Sequence, residues 1–468
     1  MLLQRALSNK QYTVAELFCG CGGFSHGFAR TGRFSVVLGN DIKPAALRTF
    51  QYNHRNHITG QSPAIITGDI RQVPIETIVT TLERQGVKEG ELDCLIGGPP
   101  CQGFSQMRRT EERDGSKIVK FKGYNRLDQD PRNDLVLRFL EIAAVLQPKV
   151  ILIENVEQML RHHHNGVAGG LAENIHAILR EIGYDVDVTT LNAADFGVPQ
   201  LRERVVFMAS RIGEIKFPSP TYTDPLFDKC SRSAWATVED AIRDLPSPPL
   251  SPTDELGNTN LDSYPQVELS SFAAMMRSSS AFPYNHLTRR YSPSIMRIIA
   301  EMQPGETWDH ASERMRHHYK PIVDAAMLPD ENLAQTISRL GKANEIVPAF
   351  YRQYYWSAYT RLAWDRPALT ITANANFLGS GRFTHPVENR GITMREAARL
   401  QSFEDDFRFL TTAQGENTGN ISVGLDMIGE AVPPLLAEAL AQQIVSVLDG
   451  TKIVTDPVVN EHNLSLAV

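Results

Sequence analysis

Cysteine is scarce in this chain of 468 residues: five, at positions 19, 21, 94, 101 and 230. That is too few, and too irregularly spaced, for a disulfide framework or a four-thiolate zinc site, so they read as reduced thiols. Long apolar runs are missing as well. None approaches the ~20 residues that a spanning helix needs, and the opening stretch MLLQRALSNK lacks the apolar segment of a secretory signal. The expectation is a cytoplasmic chain with no membrane association. Nor is there an excess of positive charge, since 47 Lys and Arg against 54 Asp and Glu leave −7. Any nucleic acid must therefore be held by a local basic face. No internal repeat is found. With 42% hydrophobic and 22% charged residues, disorder, collagen and coiled coil are excluded as the main architecture. The length allows about three domains at ~150 residues each.

What is present, over the first ~210 residues, is an alternation of short apolar runs with helical stretches, the pattern of a parallel sheet covered by helices on both faces. Strands are expected at Val14 to Phe18, Ser35 to Leu38, Ala64 to Ile66, Leu92 to Ile96, Val150 to Ile153, Asp185 to Thr190 and Val205 to Ala209. The clearest helix is Asp134 to Leu146, whose apolar residues recur every three or four positions. From Phe217 to Pro265 the chain turns rich in Pro, Ser, Thr and Asp and reads as exposed loop. Aromatics and arginines follow (Tyr284 to Tyr291, Phe350 to Trp364), and then two helical candidates, Thr393 to Gln401 and Ala431 to Leu448.

The first strand runs into Gly20, Cys21, Gly22 and Gly23. Glycines there let a ligand approach the backbone at a helix N-terminus, where free amides favour electron-rich groups. Without GKS or GKT this is no P-loop, and the spacing misses a clean GxGxxG. Asp41 follows the second strand and Asp69 the third. They are either ordinary turn acids or, taken with the glycines, groups suited to ribose hydroxyls and to an adenine amino group. At the end of the fourth strand, Pro99 and Pro100 fix the backbone just before Cys101, presenting a thiol at the edge where open α/β sheets bind ligands. The fifth strand delivers Glu154 to the same edge, a carboxyl costly to bury unless protonated or hydrogen-bonded. Thiol and carboxyl make a plausible nucleophile and acid. Arg202 and Arg204, two apart on an extended segment, point to one side and suit a phosphate or a planar polar ring.

In order and spacing these motifs resemble the cytosine-C5 DNA methyltransferases along nearly the whole chain. The resemblance rests on Glu16 to Gly23, with Glu16 where Asp is commoner, on Pro99-Pro100-Cys101-Gln102, on Glu154-Asn155-Val156 and on Gln200 to Arg204. It continues through Tyr359 to Ile371, Arg390 to Phe403 and Gly429 to Pro434, where Glu430 replaces the family's Asn. It implies an α/β fold: a Rossmann-like methyltransferase domain with a mostly parallel seven-stranded sheet, and a smaller irregular target-recognition domain. The implied boundaries are 1–212, 213–419 and a returning C-terminal helix at 420–468. S-adenosylmethionine is the implied cofactor, held by Phe18, Gly20, Gly22, Gly23, Asp41, Ile42, Asp69, Ile70, Pro100, Leu135, Glu430 and Ala431, with no metal.

The resemblance implies that Cys101 attacks carbon 6 of a cytosine flipped out of duplex DNA, while Glu154, helped by Arg202 and Arg204, acts at ring nitrogen N3. The stretch from Gln102 to Arg132, with Arg108, Arg109, Lys117, Lys120, Lys122 and Arg126, suits closure over the base, although Glu111, Glu112 and Asp114 dilute its charge. The implied partner is double-stranded DNA, the chain acts as a monomer, and a restriction endonuclease can accompany it. Rival readings are the same chemistry on RNA, a catalytically silent DNA-binding regulator, and a nicotinamide-dependent oxidoreductase, which leaves Pro-Pro-Cys and the paired arginines without a job. His162 to His164 read as surface residues rather than metal ligands.

Overall fold

The expected central strands are nearly continuous runs of buried residues, mostly apolar, the signature of a sheet covered on both faces. In the computed structural model the strands are β1 (Tyr12–Leu17), β2 (Phe34–Asp41), β3 (Ala64–Thr67), β4 (Cys94–Gly97), β5 (Val150–Asn155), β6 (Asp185–Asn192) and β7 (Glu203–Ser210). The structure describes residues 11–55, 60–100, 111–114, 117–121, 134–161, 163–164, 167–226, 232–250, 263–277, 283–411 and 420–450. The seven strands form one sheet in the order β6-β7-β5-β4-β1-β2-β3. Only β7 runs antiparallel to its neighbours, β5 and β6; the other pairings are parallel.

The strand order reverses between β1 and β4, so a crevice opens at their carboxyl ends, the usual ligand position in such sheets. Helix α1 (Gly23–Arg30) follows β1, α2 (Pro44–Asn53) follows β2, and α3 (Ile75–Arg84) follows β3. α4 (Asp134–Leu146) has the bounds that its periodicity predicts, and buries Phe139, Ile142 and Ala143 on one sheet face together with Leu171, Ile175 and Leu179 of α5 (Gly170–Glu181). The opposite face is covered by Phe24 and Phe28 of α1 and by Leu436, Leu440 and Ile444 of α8 (Pro434–Leu448). Gly27 permits that approach, because a Cβ on it would lie 2.4 Å from the Ala437 Cβ. A chain segment four hundred residues downstream thus completes the first domain's core.

Two sequence expectations need correction. The Pro- and Ser-rich stretch from Phe217 to Pro265 is not all exposed loop. Residues Val238–Ile242 form a helix with a capping box between Thr237 and Asp240, and Val238, Ala241 and Ile242 enter the second core with Trp308, Phe350 and Phe403. A well-capped turn of helix needs only three inward apolar residues to pack, and such a short pattern is invisible amid prolines. The other correction concerns apolar runs: residues Ile421–Leu448 are long and apolar enough to cross a membrane by length and composition. Here they are two helices, α7 (Ile421–Glu430) and α8, broken before Pro434 and half buried against the protein. Against α7 packs α6 (Met394–Leu400), which is wholly buried.

Candidate active site

A cavity of about 460 Å³ opens at the carboxyl ends of β1, β2, β4 and β5, within the ~300–1,000 Å³ range of small-molecule sites. Its floor is the turn after β1. Phe18 has φ +57° and Gly20 +52°, left-handed values that a phenylalanine adopts only under constraint. Both line the cavity, with Gly23 at the start of α1. Gly22, expected to touch the ligand, does not line it. Its φ is +91°, and a Cβ there would lie 2.4 Å from His54 Cε1 and 2.7 Å from Phe50 Cδ2. Its smallness lets α2 pack beneath the loop.

Asp41 ends β2 and braces this turn. Its Oδ2 accepts from the Gly20 amide at 2.8 Å and its Oδ1 from the Lys43 amide at 2.8 Å. The same carboxylate lines the cavity and keeps acceptor capacity, so a sugar hydroxyl would meet an acceptor held in place. Next to it Ile42 stands 63% exposed while lining the cavity, an apolar face suited to a planar ring. Asp69, expected to accept from an adenine amino group, is bound by the Arg71 guanidinium at 2.6 Å and by the Arg71 amide at 3.0 Å. That guanidinium holds its carboxyl below the usual range. Ile70, Pro100, Leu135 and Ala431 line the same space.

On the far side, Glu154 leaves the end of β5 and its Oε1 lies 2.8 Å from Arg204 Nε. The buried carboxyl is thus satisfied, as its position after four apolar residues requires. Burial pulls Arg204 down and Glu154 opposes the shift. Arg202 does something different from its neighbour. Its guanidinium donates to the carbonyls of Ile371 (3.0 Å), Gly429 (3.2 Å) and Ala431 (3.0 Å), pinning the segment around Ile371 and the α7–α8 break to the sheet. The expected pair of arginines is therefore one ligand for Glu154 and one tie for the backbone, although both line the cavity. Asn155 contributes what the sequence reading did not assign: its Nδ2 donates to the Pro99 carbonyl at 3.0 Å, fixing the entry to Cys101. Cys101 itself, and the basic side chains from Arg108 to Arg126, lie outside the described residues.

Two further groups were missed. Glu16, buried at the cavity wall, accepts from the Ser25 amide at 3.0 Å. Lys43 Nζ lies 2.7 Å from both Glu430 and Asp426. A lysine after a strand end carries no sequence signal of a bridge to a helix almost four hundred residues away; Glu16 stood inside the glycine motif and could have been included.

Compared with known proteins, residues 12–446 match the family model for C-5 cytosine-specific DNA methylases. The chain belongs to that family. It is a DNA (cytosine-5-)-methyltransferase that uses S-adenosylmethionine. Among its relatives, the type II methyltransferase M.DdeI of Desulfomicrobium norvegicum is 31% identical, over 95% of this chain and 91% of the relative. The type II methyltransferase M.AgeI of Thalassovita gelatinovora is 29% identical, over 92% and 98%. The crystal structure of an E. coli prophage protein described as a DNA modification methyltransferase superposes with a TM-score of 0.61, at 21% identity, over 94% of this chain and all of that one, and shares the fold. The methyltransferase's cavity fits its cofactor: an exposed apolar face at Ile42, a braced acceptor at Asp41 and a glycine turn at a helix start lie side by side.

Proposed function

We propose that this cavity is where the methyltransferase holds S-adenosylmethionine and the target cytosine side by side, with Cys101 as nucleophile. The observation that carries the reading is the Glu154–Arg204 pair, 2.8 Å apart, which shares one cavity with the Asp41-braced glycine turn and with Pro99 and Pro100, the residues leading into Cys101. In this reading the Cys101 thiolate adds to carbon 6 of the flipped base, and Glu154, oriented by Arg204, relays a proton taken up from solvent to N3 as negative charge builds on the ring, which makes carbon 5 nucleophilic. The cofactor supplies the methyl group. Transfer of the carbon 5 proton to solvent, expulsion of Cys101 as the thiolate and return of the N3 proton to Glu154 complete the cycle. Arg202 is a positioning residue, holding the cavity wall through Ile371, Gly429 and Ala431.

We further infer that residues 1–212 with 420–468 form the catalytic unit and that 213–419 read the DNA. The recognition part exposes Tyr355, Trp356 and Phe377, with Trp356 40% and Phe377 56% exposed, beside Arg382, whose guanidinium stands 5.7 Å from the Trp356 ring. Phe377 follows six residues after Ile371, whose carbonyl Arg202 holds, so it stands within about 20 Å of the cavity wall by chain length. Aromatics interleaved with arginine suit a nucleic-acid surface. The chain acts as a cytoplasmic monomer on double-stranded DNA, with a separate endonuclease of matching specificity, in keeping with relatives named as type II methyltransferases.

Bisulfite sequencing of DNA from cells expressing the protein will report cytosines protected from conversion in one sequence context, and Cys101→Ala will abolish the protection while cofactor binding persists. DNA carrying 5-fluorocytosine at that site will trap a denaturant-resistant adduct with the wild type. Protection by the alanine variant, or no adduct, defeats the mechanism.

A further inference from the structure

Five carboxyl groups line the cavity: Glu16, Asp41, Asp69, Glu154 and Glu430. Four have partners that stabilise a negative charge. Asp69 has Arg71, Glu154 has Arg204, Glu430 has Lys43, and Asp41 takes two backbone amides. Glu16 has only the hydroxyl and amide of Ser25, both uncharged, and among the described residues no lysine or arginine reaches it. It is 3% exposed.

What faces it from each side offers no positive charge. Cys19 and Cys21, beyond it on the turn, are thiols whose pKa burial pushes up. Asp41 faces it from β2 and is itself an acid. Behind Ser25 of α1, whose Oγ lies 3.1 Å from His54 Nε2, the His54 ring just past α2 is pushed down to about 3 by burial and is neutral. Its register partner on β4 is Ile96, followed by Gly97, and Ala431 and Val432 close the cavity with apolar groups. An ionised Glu16 would be a buried charge with two neutral hydrogen-bond donors and no opposite charge. Burial accordingly pushes its carboxyl up to about 8.

S-adenosylmethionine carries a sulfonium cation; S-adenosylhomocysteine, its product, has a neutral thioether at the same place and is otherwise alike. We propose that Glu16 senses this charge: its carboxyl ionises, releasing its proton to solvent, when the sulfonium enters the cavity, and takes a proton back once the methyl group and the charge have left. Glu16 is thus a specificity-determining residue that favours cofactor over product and eases product exit. The inference rests on the cavity being the cofactor site.

Titration calorimetry on the full chain at pH 7, with each ligand, in two buffers of different ionisation enthalpy, counts the protons. S-adenosylmethionine will release close to one proton more than S-adenosylhomocysteine; the α-amino group common to both ligands cancels in this difference. The affinity ratio of cofactor to product will rise by roughly tenfold from pH 6 to pH 7, as linkage requires for a site that must lose a proton to bind one ligand and not the other. Glu16→Gln will abolish the difference in protons and flatten that pH dependence. Equal proton release for the two ligands in the wild type, which needs no variant to fold, overturns the proposal, as does an undiminished difference in Glu16→Gln. Absence of binding heat with both ligands, at any pH tested, is the separate result that would remove the cofactor site and the inference with it.

Discussion

Lys43 and Glu430 form an ion pair 2.7 Å long across the rim of the cavity, joining the end of β2 to the end of α7, with Asp426 as a third member. The residue that departs from the family pattern is therefore matched by a charge of this chain's own rather than left facing the cofactor unpaired. Because the pair is about two-fifths exposed, it contributes ~1 kcal/mol or less. Glu430→Gln should weaken S-adenosylmethionine binding by no more than about threefold, and calorimetry measures it. A severalfold tightening would show the carboxylate to be repulsive despite Lys43.

Asp41 accepts from Gly20 and Lys43 at once, so its removal costs both a ligand acceptor and the shape of the glycine turn. Asp41→Ala should weaken cofactor binding by on the order of 1.5 to 3 kcal/mol, roughly ten- to a hundredfold. An unchanged dissociation constant would contradict the placement of the sugar at this strand end.

Glu16 also affects stability without any ligand. Its folded pKa, about 8, stands above the ordinary carboxylate value. A raised carboxyl favours the fold fully below the unfolded pKa, and this contribution is lost as pH rises toward 8. Thermal melts of Glu16→Gln without cofactor should match the wild type near pH 4 and exceed it at pH 8, by on the order of a few kcal/mol. A variant less stable at pH 8 would mean that the carboxylate is compensated after all.

Ahead of α6, Arg390 pairs with the buried Glu396 at 2.7 Å. Burial alone would raise the Glu396 carboxyl, but the Arg390 guanidinium overcomes it and holds the group well below the usual range. The stability this supplies is present above the unfolded carboxylate pKa and lost as pH falls below it. Arg390→Met leaves an unpaired buried charge and should cost ~3–5 kcal/mol at pH 7, with a smaller deficit at pH 4; urea melts at the two values check both.

Trp356→Ala combined with Phe377→Ala should lower affinity for target DNA by about tenfold or more, at the ~1–3 kcal/mol that stacked aromatics contribute, and leave cofactor binding intact. Fluorescence anisotropy with labelled duplex is the measurement, and unchanged DNA affinity would move the reading surface elsewhere.

Much of this arrangement was legible beforehand because it is carried by local signals. Most strands of the sheet appear as apolar runs, the edge strand Asp185–Asn192 as an alternating one, and α4 as a clean three-and-four repeat. Phe18, Gly20, Gly23, Asp41, Ile42, Asp69 and Glu154 line one cavity because each sits in or just after a strand end at the same edge. What escaped depends on side-chain pairings, most of them between distant segments. The division of labour between Arg202 and Arg204 follows from the backbone carbonyls of residues 371, 429 and 431, which no spacing along the chain reveals. The engagement of Asp69 by Arg71 and the bridge from Lys43 to Glu430 are side-chain choices made only when the loops are in place. Likewise, Gly22 carries the right residue type for a ligand loop, yet its neighbours are Phe50 and His54.

The returning helix α8 has a topological consequence. Tyr12 Oη donates to Asp449 at 2.6 Å, and Arg33 reaches the same carboxylate at 2.7 Å, so the first strand and the end of the last helix meet on one side of the molecule. A circular permutant, with a short linker from Asp449 to Tyr12 and new ends beside the exposed Leu226, would preserve every strand pairing of the sheet. It would also turn a catalytic unit now split by the recognition segment into one uninterrupted stretch of chain, onto which recognition parts from other members of the family could be joined at a single seam.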